Sequence, residues 1–247
     1  SKTDKNPNIL VILIDDAGYN DFGFMGSKEM QTPNIDALTS EGVVFTDAHV
    51  AATVSSPSRA CLITGRYGHR FGYECNLSDR TNGLPLEEET IAEVFKTNGY
   101  RTAAIGKWHL GSRDEQHPNN RGFDLFYGMK AGGRDYFYNE KKSDRPGDER
   151  NLLLNDRQVK FEKYLTDAFS EKAVEFINES SQPFMMYLAY NAVHTPMQAT
   201  DEDMAKFEGH PRQKLAAMTY ALDRGVGTVI RGLKDSGKFD NTLIFFL

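Results

Sequence analysis

Cysteine is scarce in this chain. Cys61 and Cys75 are the only two among 247 residues, which excludes a disulfide framework and leaves one bridge or two buried thiols. Long hydrophobic runs are absent too, and no apolar stretch approaches the length of a membrane span. The opening residues, SKTDKNPN, lack the hydrophobic core of a signal peptide. They read as a mature end after signal removal or as an expression junction. Nor is positive charge in excess. Lys and Arg number 29 against 35 Asp and Glu, a formal net charge of −6, which excludes a general affinity for nucleic acid. Any anion site must therefore be a local basic pocket in an acidic surface. No internal repeat or low-complexity tract is found.

What is present is the alternation of strand and helix signals. Residues 8–14 (NILVILI) form a continuous apolar, β-branched run of the kind buried on both faces of a parallel sheet. Thr32-Pro33 predicts a helix start, with the helix running to about Ser40. Residues 43–50 predict a second strand. Residues 88–97 predict a helix stopped by Asn98-Gly99, and 101–105 a short strand. Residues 111–157, rich in Gly, Asn, Asp and Arg, read as long loops at one end of the sheet. Helices are expected over 165–178 and 213–234, and strands over 184–190 and 242–247. The fold class is therefore α/β, a mostly parallel central sheet with helices on both faces. Because the chain stops at a core strand, a truncated catalytic domain over 1–247 is expected, with a smaller C-terminal domain absent.

Several residues that can carry chemistry follow these strands. In open α/β sheets, ligands bind beyond the carboxyl ends of strands. Asp15-Asp16 follow the first strand, where two adjacent carboxylates suit a hard cation or, alternatively, a helix-capping turn. In SSPSR, Pro57 lies in a first helical turn, so Ser55 stands at a helix mouth that favours negative charge. Arg59 is one turn on. A simple serine cap at Ser55 or Ser56 is the alternative. Lys107 and His109 share one face of an extended segment, as a cation and an acid/base or as an exposed lysine and a core histidine. His194 follows the strand at 184–190 and is either a loop residue or a further acid/base. His49, His69, His117 and His210 have no comparable context. Together the clusters fit a pocket for a tetrahedral oxyanion ester.

These stretches resemble the type I sulfatase family of the alkaline phosphatase superfamily. The family signature of Cys or Ser, any residue, Pro, Ser, Arg, four residues, Thr, Gly is matched by Ser55 through Arg59 with Thr64-Gly65. GKWHLG at 106–111 matches as well, as do Asp15-Asp16, Arg121-Gly122-Phe123-Asp124 and His194-Thr195-Pro196. The resemblance implies an alkaline phosphatase-like fold and a sulfuric ester hydrolase. It implies that a formylglycine-generating maturation enzyme oxidises Ser55 (or a Cys that Ser55 replaces) to Cα-formylglycine, whose hydrate attacks sulfur. It makes Asp15, Asp16 and residue 55 calcium ligands, and Arg59 and Lys107 holders of the formylglycine and sulfate. His109 becomes the partner of the formylglycine diol and His194 the proton donor to the ester oxygen. Further calcium ligands and a sulfate-binding lysine are expected beyond Leu247.

The segment Gly132 to Tyr136 loosely resembles the corresponding loop of N-acetylgalactosamine sulfatases. That resemblance places Arg134 and Asp135 at sugar hydroxyls or a neighbouring sulfate, with an ordinary Gly-rich surface loop as the alternative. The expected substrate is a sulfated galactose- or N-acetylgalactosamine-type carbohydrate. The expected location is periplasmic, secreted or lysosomal. Two other functions stay open: a phosphomonoesterase or phosphodiesterase of the same superfamily, and a non-catalytic sulfoglycan-binding protein with unmodified Ser55.

Overall fold

A computed structural model describes residues 6–76 and 83–247; the first five residues of the polar opening lie outside it. The run at the start of the chain forms β1 (Asn8–Leu13). It pairs in parallel with β6 (Phe184–Ala189) on one side and β7 (Thr242–Phe246) on the other. β6 pairs in turn with β2 (Arg101–Lys107), and β2 with β3 (Leu125–Met129), again in parallel. Two-residue strands β4 (Leu153–Leu154) and β5 (Arg157–Gln158) add an antiparallel margin. The order across the sheet is β5-β4-β3-β2-β6-β1-β7.

Side chains alternate across a strand, so one apolar run feeds two cores. Leu10 and Ile12 of β1, with Met186 and Leu188 of β6, pack under α1 (Pro33–Ser40), α4 (Leu165–Glu179) and α6 (Gln213–Asp235). Ile9, Val11, Met185 and Tyr187 face the other way, against α2 (Ser55–Thr64) and α3 (Ile91–Thr97). A short α5 (Asp201–Ala205) leads into α6. The architecture is the expected α/β sandwich. No helix among the described residues is long and apolar enough to cross a membrane.

Four expectations need correction. Residues 43–50 form no strand among the described residues; Val43, Phe45 and Val50 are 81%, 75% and 70% exposed. Their alternation is strand-like, but a strand also needs a neighbouring edge, and this segment pairs with none of the described strands. Residues 111–157 are not all loop, since β3 runs through them between β2 and β4. The helix expected from residue 88 begins at Ile91, where a capping box closes it: Glu93 N–H donates to Thr90 Oγ1 at 3.1 Å and Thr90 N–H to Glu93 Oε2 at 2.7 Å. Glu88 instead receives Arg66. Finally, both cysteines are free, Cys61 buried and Cys75 exposed, so there is no bridge and only one thiol is buried.

Because β1, β2, β3 and β6 run in parallel, their carboxyl ends share one edge of the sheet. Asp15, His109, the 130–136 segment and His194 all leave from that edge. At the end of the sheet stands β7, with Leu243 and Phe245 half-exposed on its outer face.

Candidate active site

Ser55 is the first residue of α2, with extended Val54 as the cap and no side-chain capping bond. The expected position just outside the helix is therefore shifted by one residue, and neither Ser55 nor Ser56 is a cap. Instead Ser55 Oγ is met from two sides. Arg59, one turn on, donates through Nε at 3.0 Å, and His109 Nδ1 lies 3.2 Å away. An arginine can only donate, so Ser55 Oγ accepts from it and its own hydrogen is left for His109.

Arg59 is buried and fully employed. Nη1 donates to Lys107 O at 3.1 Å and to the Tyr187 hydroxyl at 3.3 Å, while Nη2 lies 3.3 Å from Asp15 Oδ1. Lys107 Nζ, with no exposed side-chain surface, contacts Asp15 Oδ2 at 2.6 Å. Asp15 thus sits between two buried cations. Burial by itself would raise its carboxyl, but Arg59 and Lys107 outweigh that and hold it below the usual carboxylate range. Burial, with Arg59 nearby, pulls Lys107 down to about 8 against the opposing pull of Asp15.

His109 has a left-handed backbone, φ 56°, an uncommon conformation for a residue with a side chain. Two bonds hold it there. Its N–H donates to Lys130 O at 3.0 Å, and its carbonyl accepts from Ser56 Oγ at 2.7 Å, which also contacts the Tyr73 hydroxyl at 2.6 Å. Burial first, then the charges of Lys107 and Arg59, lower His109 to about 3. The imidazole is therefore neutral at working pH, and Nδ1 can accept a proton from the residue 55 oxygen.

This shift has a consequence for stability. Between about 3 and the ordinary 6.5, the unfolded chain binds a proton at His109 that the folded chain does not. The His109 contribution to stability therefore falls as pH drops through that window and is level above it. Urea midpoints of the wild type should decline more steeply from pH 6.5 to 4 than those of His109→Gln. Parallel declines in both proteins would assign the acid sensitivity elsewhere.

Asp16 and His194 form the rim. Asp16 is also left-handed, φ 60°, its side chain is 64% exposed, and its Oδ2 lies 3.7 Å from His194 Nε2. His194 Nδ1 lies 2.6 Å from Thr195 O. A carbonyl can only accept, so Nδ1 carries the hydrogen and Nε2 is the exchangeable position. A cleft of about 500 Å³ is lined by Asp15, Asp16, Val54, Ser55, Arg59 and Phe246, among others.

Asp15, Asp16 and Ser55 offer only oxygens, the donor type a hard cation takes. Both Asp15 oxygens face cationic side chains here, and among the described residues no three His, Cys, Asp or Glu are arranged to hold a metal. The donors fit calcium in kind, and a full coordination shell needs oxygens beyond these three.

Arg134 and Asp135, expected at the sugar, are instead buried in their own loop. Arg134 Nη2 makes two bonds to Asp144, at 2.7 and 2.8 Å, and its guanidinium lies over the Phe161 ring. Asp135 accepts from Ser143 Oγ at 2.7 Å and Gln198 Nε2 at 2.9 Å. Both side chains are committed internally, so the expected sugar contact is not theirs in this structure. Conversely, sequence reasoning missed Tyr187, Tyr73 and Ser56 as supports of the site. Tyr187 was findable in principle, since it shares a face of β6 with Met185 toward α2.

An α/β sheet whose carboxyl edge gathers a serine at a helix mouth, two buried cations and two histidines offers the charge and proton-handling groups that an anionic ester would need. The chain belongs to the sulfatase family, whose profile matches residues 7–247. It is 36% identical over 271 residues to arylsulfatase G of Mus musculus, covering 97% of this chain and 50% of that protein. It is 30% identical to N-acetylgalactosamine-6-sulfatase of Homo sapiens, covering 97% and 49%. The crystal structure of Ps i-CgsB in complex with k-i-k-neocarrahexaose superposes with a TM-score of 0.92 at 45% identity, covering 98% of this chain and 58% of that one. The chain thus spans about half the length of the curated relatives it matches.

Proposed function

We propose that the protein hydrolyses a sulfate ester on a galactose- or N-acetylgalactosamine-type carbohydrate, with residue 55 as the nucleophile position. The observation that carries this reading is the convergence of Arg59 Nε and His109 Nδ1 on Ser55 Oγ, at 3.0 and 3.2 Å, at the mouth of α2. The carbohydrate class is supported by the neocarrahexaose bound to Ps i-CgsB and by the N-acetylgalactosamine-6-sulfatase relative. The same two contacts, one donor and one acceptor, suit an oxidised residue 55. A formylglycine there, made by a maturation enzyme, would supply a hydrated aldehyde with two hydroxyls, and a calcium ion, for which Asp15, Asp16 and the residue 55 oxygen would be ligands, would supply polarisation of the sulfate.

The chain's own groups then divide the work. Arg59 neutralises negative charge at the cleft floor, and Lys107, buried behind it on Asp15, adds to the positive field there. His109, neutral, removes a proton from the oxygen on residue 55. His194 delivers a proton from Nε2 to the sugar oxygen as its bond to sulfur breaks, because a sugar alkoxide is a poor leaving group.

The leaving group provides the test. In the complete, active protein, His194→Ala is expected to lower turnover of sulfated neocarrahexaose by about 100-fold, and of 4-nitrophenyl sulfate by less than about tenfold. Equal losses on the two substrates would remove His194 as proton donor. Faster hydrolysis of 4-nitrophenyl phosphate than of the sulfate would move the protein to the phosphoesterases.

A further inference from the structure

We propose that the Gly133–Tyr136 loop positions His194, with the Tyr136 hydroxyl clamping its turn and the bare backbone of Gly133 leaving room for its ring. The inference rests on His194 being the proton donor. Tyr136 is fully buried and stacked on Tyr164, ring centroids 5.3 Å apart and planes 16° from parallel. Its oxygen lies 2.8 Å from both Asn191 O and His194 O. Carbonyls only accept and a phenol has one hydrogen, so that hydrogen is shared between the two ends of the turn. Asn191 O also accepts from the His194 N–H at 2.9 Å. Burial raises the Tyr136 phenol far above its ordinary range, so the shared hydrogen stays in place.

The clamp is itself anchored. Tyr136 N–H donates to Gln198 Oε1 at 2.8 Å, and its carbonyl accepts from Leu165 N–H at the start of α4 at 2.9 Å. Asp135 holds the other end of the Gln198 amide, and the buried Arg134–Asp144 pair fixes the loop beneath. On the ring side, a Cβ on Gly133 would stand 3.3 Å from His194 Cε1 and 3.4 Å from Nδ1. The imidazole therefore packs directly on backbone. With Nδ1 tied to Thr195 O, carbonyl, ring edge and Nδ1 are all fixed, and Nε2 is left to work. A proton donor must stand within hydrogen-bond reach of its acceptor, so small displacements cost rate.

The test compares sulfated neocarrahexaose with 4-nitrophenyl sulfate in the complete, active protein. Tyr136→Phe keeps the ring stack and removes only the hydroxyl. It is expected to lower kcat on the sugar about tenfold, with the aryl sulfate falling less than about threefold and KM on both nearly unchanged. Gly133→Ala, which crowds the ring instead of freeing the turn, is expected to show the same selectivity, and it carries the test if Tyr136→Phe does not fold. Thr102→Val, at the opposite end of β2 from the site, is the structural control. It loses a buried bond, Oγ1 to Gly122 O at 2.6 Å, and is expected to lower melting temperature without changing the ratio of the two substrates. If His194→Ala is selective for the sugar while both loop variants lower the two substrates alike, or neither, the positioning role is overturned and the proton-donor reading stands. Equal losses in His194→Ala overturn both.

Discussion

Ser55→Ala is expected to abolish the proposed sulfate release by the complete protein, on the scale of ~10⁴-fold or more in kcat, because it removes the atom assigned to the attack. The structure makes this a clean experiment. Ser55 Oγ caps nothing, so its removal costs the helix no capping bond; Arg59 Nε loses its acceptor, while the rest of the guanidinium keeps its partners at Lys107, Tyr187 and Asp15. Melting temperature is therefore expected to fall by only a few degrees while activity disappears. The companion measurement is the intact mass of the peptide holding residue 55. Turnover is expected to scale with the fraction of residue 55 oxidised to formylglycine. A plain serine has one oxygen, and once sulfated it has no second hydroxyl with which to expel the group. Full multiple-turnover activity with residue 55 shown to be unmodified serine would refute the nucleophile assignment.

Asp15→Asn is the largest expected loss of stability. The substitution is nearly isosteric, so no cavity opens; what changes is charge. Lys107 and Arg59, both buried, lose the carboxylate between them. Removing one partner of a buried ion pair costs about 3–5 kcal/mol, since the remaining charge is left uncompensated, and that is roughly a 10 °C drop in melting temperature. The sign with pH follows from the depressed carboxyl. The Asp15 contribution is fully present above its unfolded value of 3.8 and is lost as pH falls through the lower folded value. The difference between wild type and variant is thus expected to be complete at pH 7 and to shrink only in strong acid. Adding Lys107→Met to Asp15→Asn is expected to recover part of the loss, because it removes a stranded charge. A single variant within about 1 kcal/mol of wild type at pH 7 would show that solvent, not Asp15, neutralises the pair.

Most of the sheet was legible because burial on both faces leaves a mark that needs no knowledge of the neighbours. β1 and β6 are continuous apolar runs, and their ends at Leu13 and Ala189 fall within a residue of where the runs stop. The segment 43–50 carries a similar mark and is not a strand, which shows the limit: pattern reports a willingness to pair, and pairing needs a partner edge. β3 was hidden by Gly128 and by polar neighbours on both sides. That Ser55, Arg59, Lys107 and His109 come together was legible because each sits in a short contiguous motif at a strand or helix end. Arg134 and Asp135 were misplaced because a charged pair in a glycine-rich loop looks alike whether it faces solvent or Asp144 and Gln198. Tyr136 and Tyr187 were invisible for another reason. What matters in each is one hydroxyl, and its partners lie 55 or more residues away in the chain.

The place of β1 in the sheet braces the site mechanically. Lys107, His194 and the Asp15–Asp16 pair hang from β2, β6 and β1, each flanked by strands on both sides. Past the end of β1, Asp15 N–H donates to Ala192 O at 2.9 Å and Val193 N–H donates to Asp15 O at 2.7 Å, so the aspartate is stitched to the turn that carries His194. The anionic and the proton-handling halves of the cleft are thus one backbone unit, and their amides are expected to exchange together on warming rather than one half before the other.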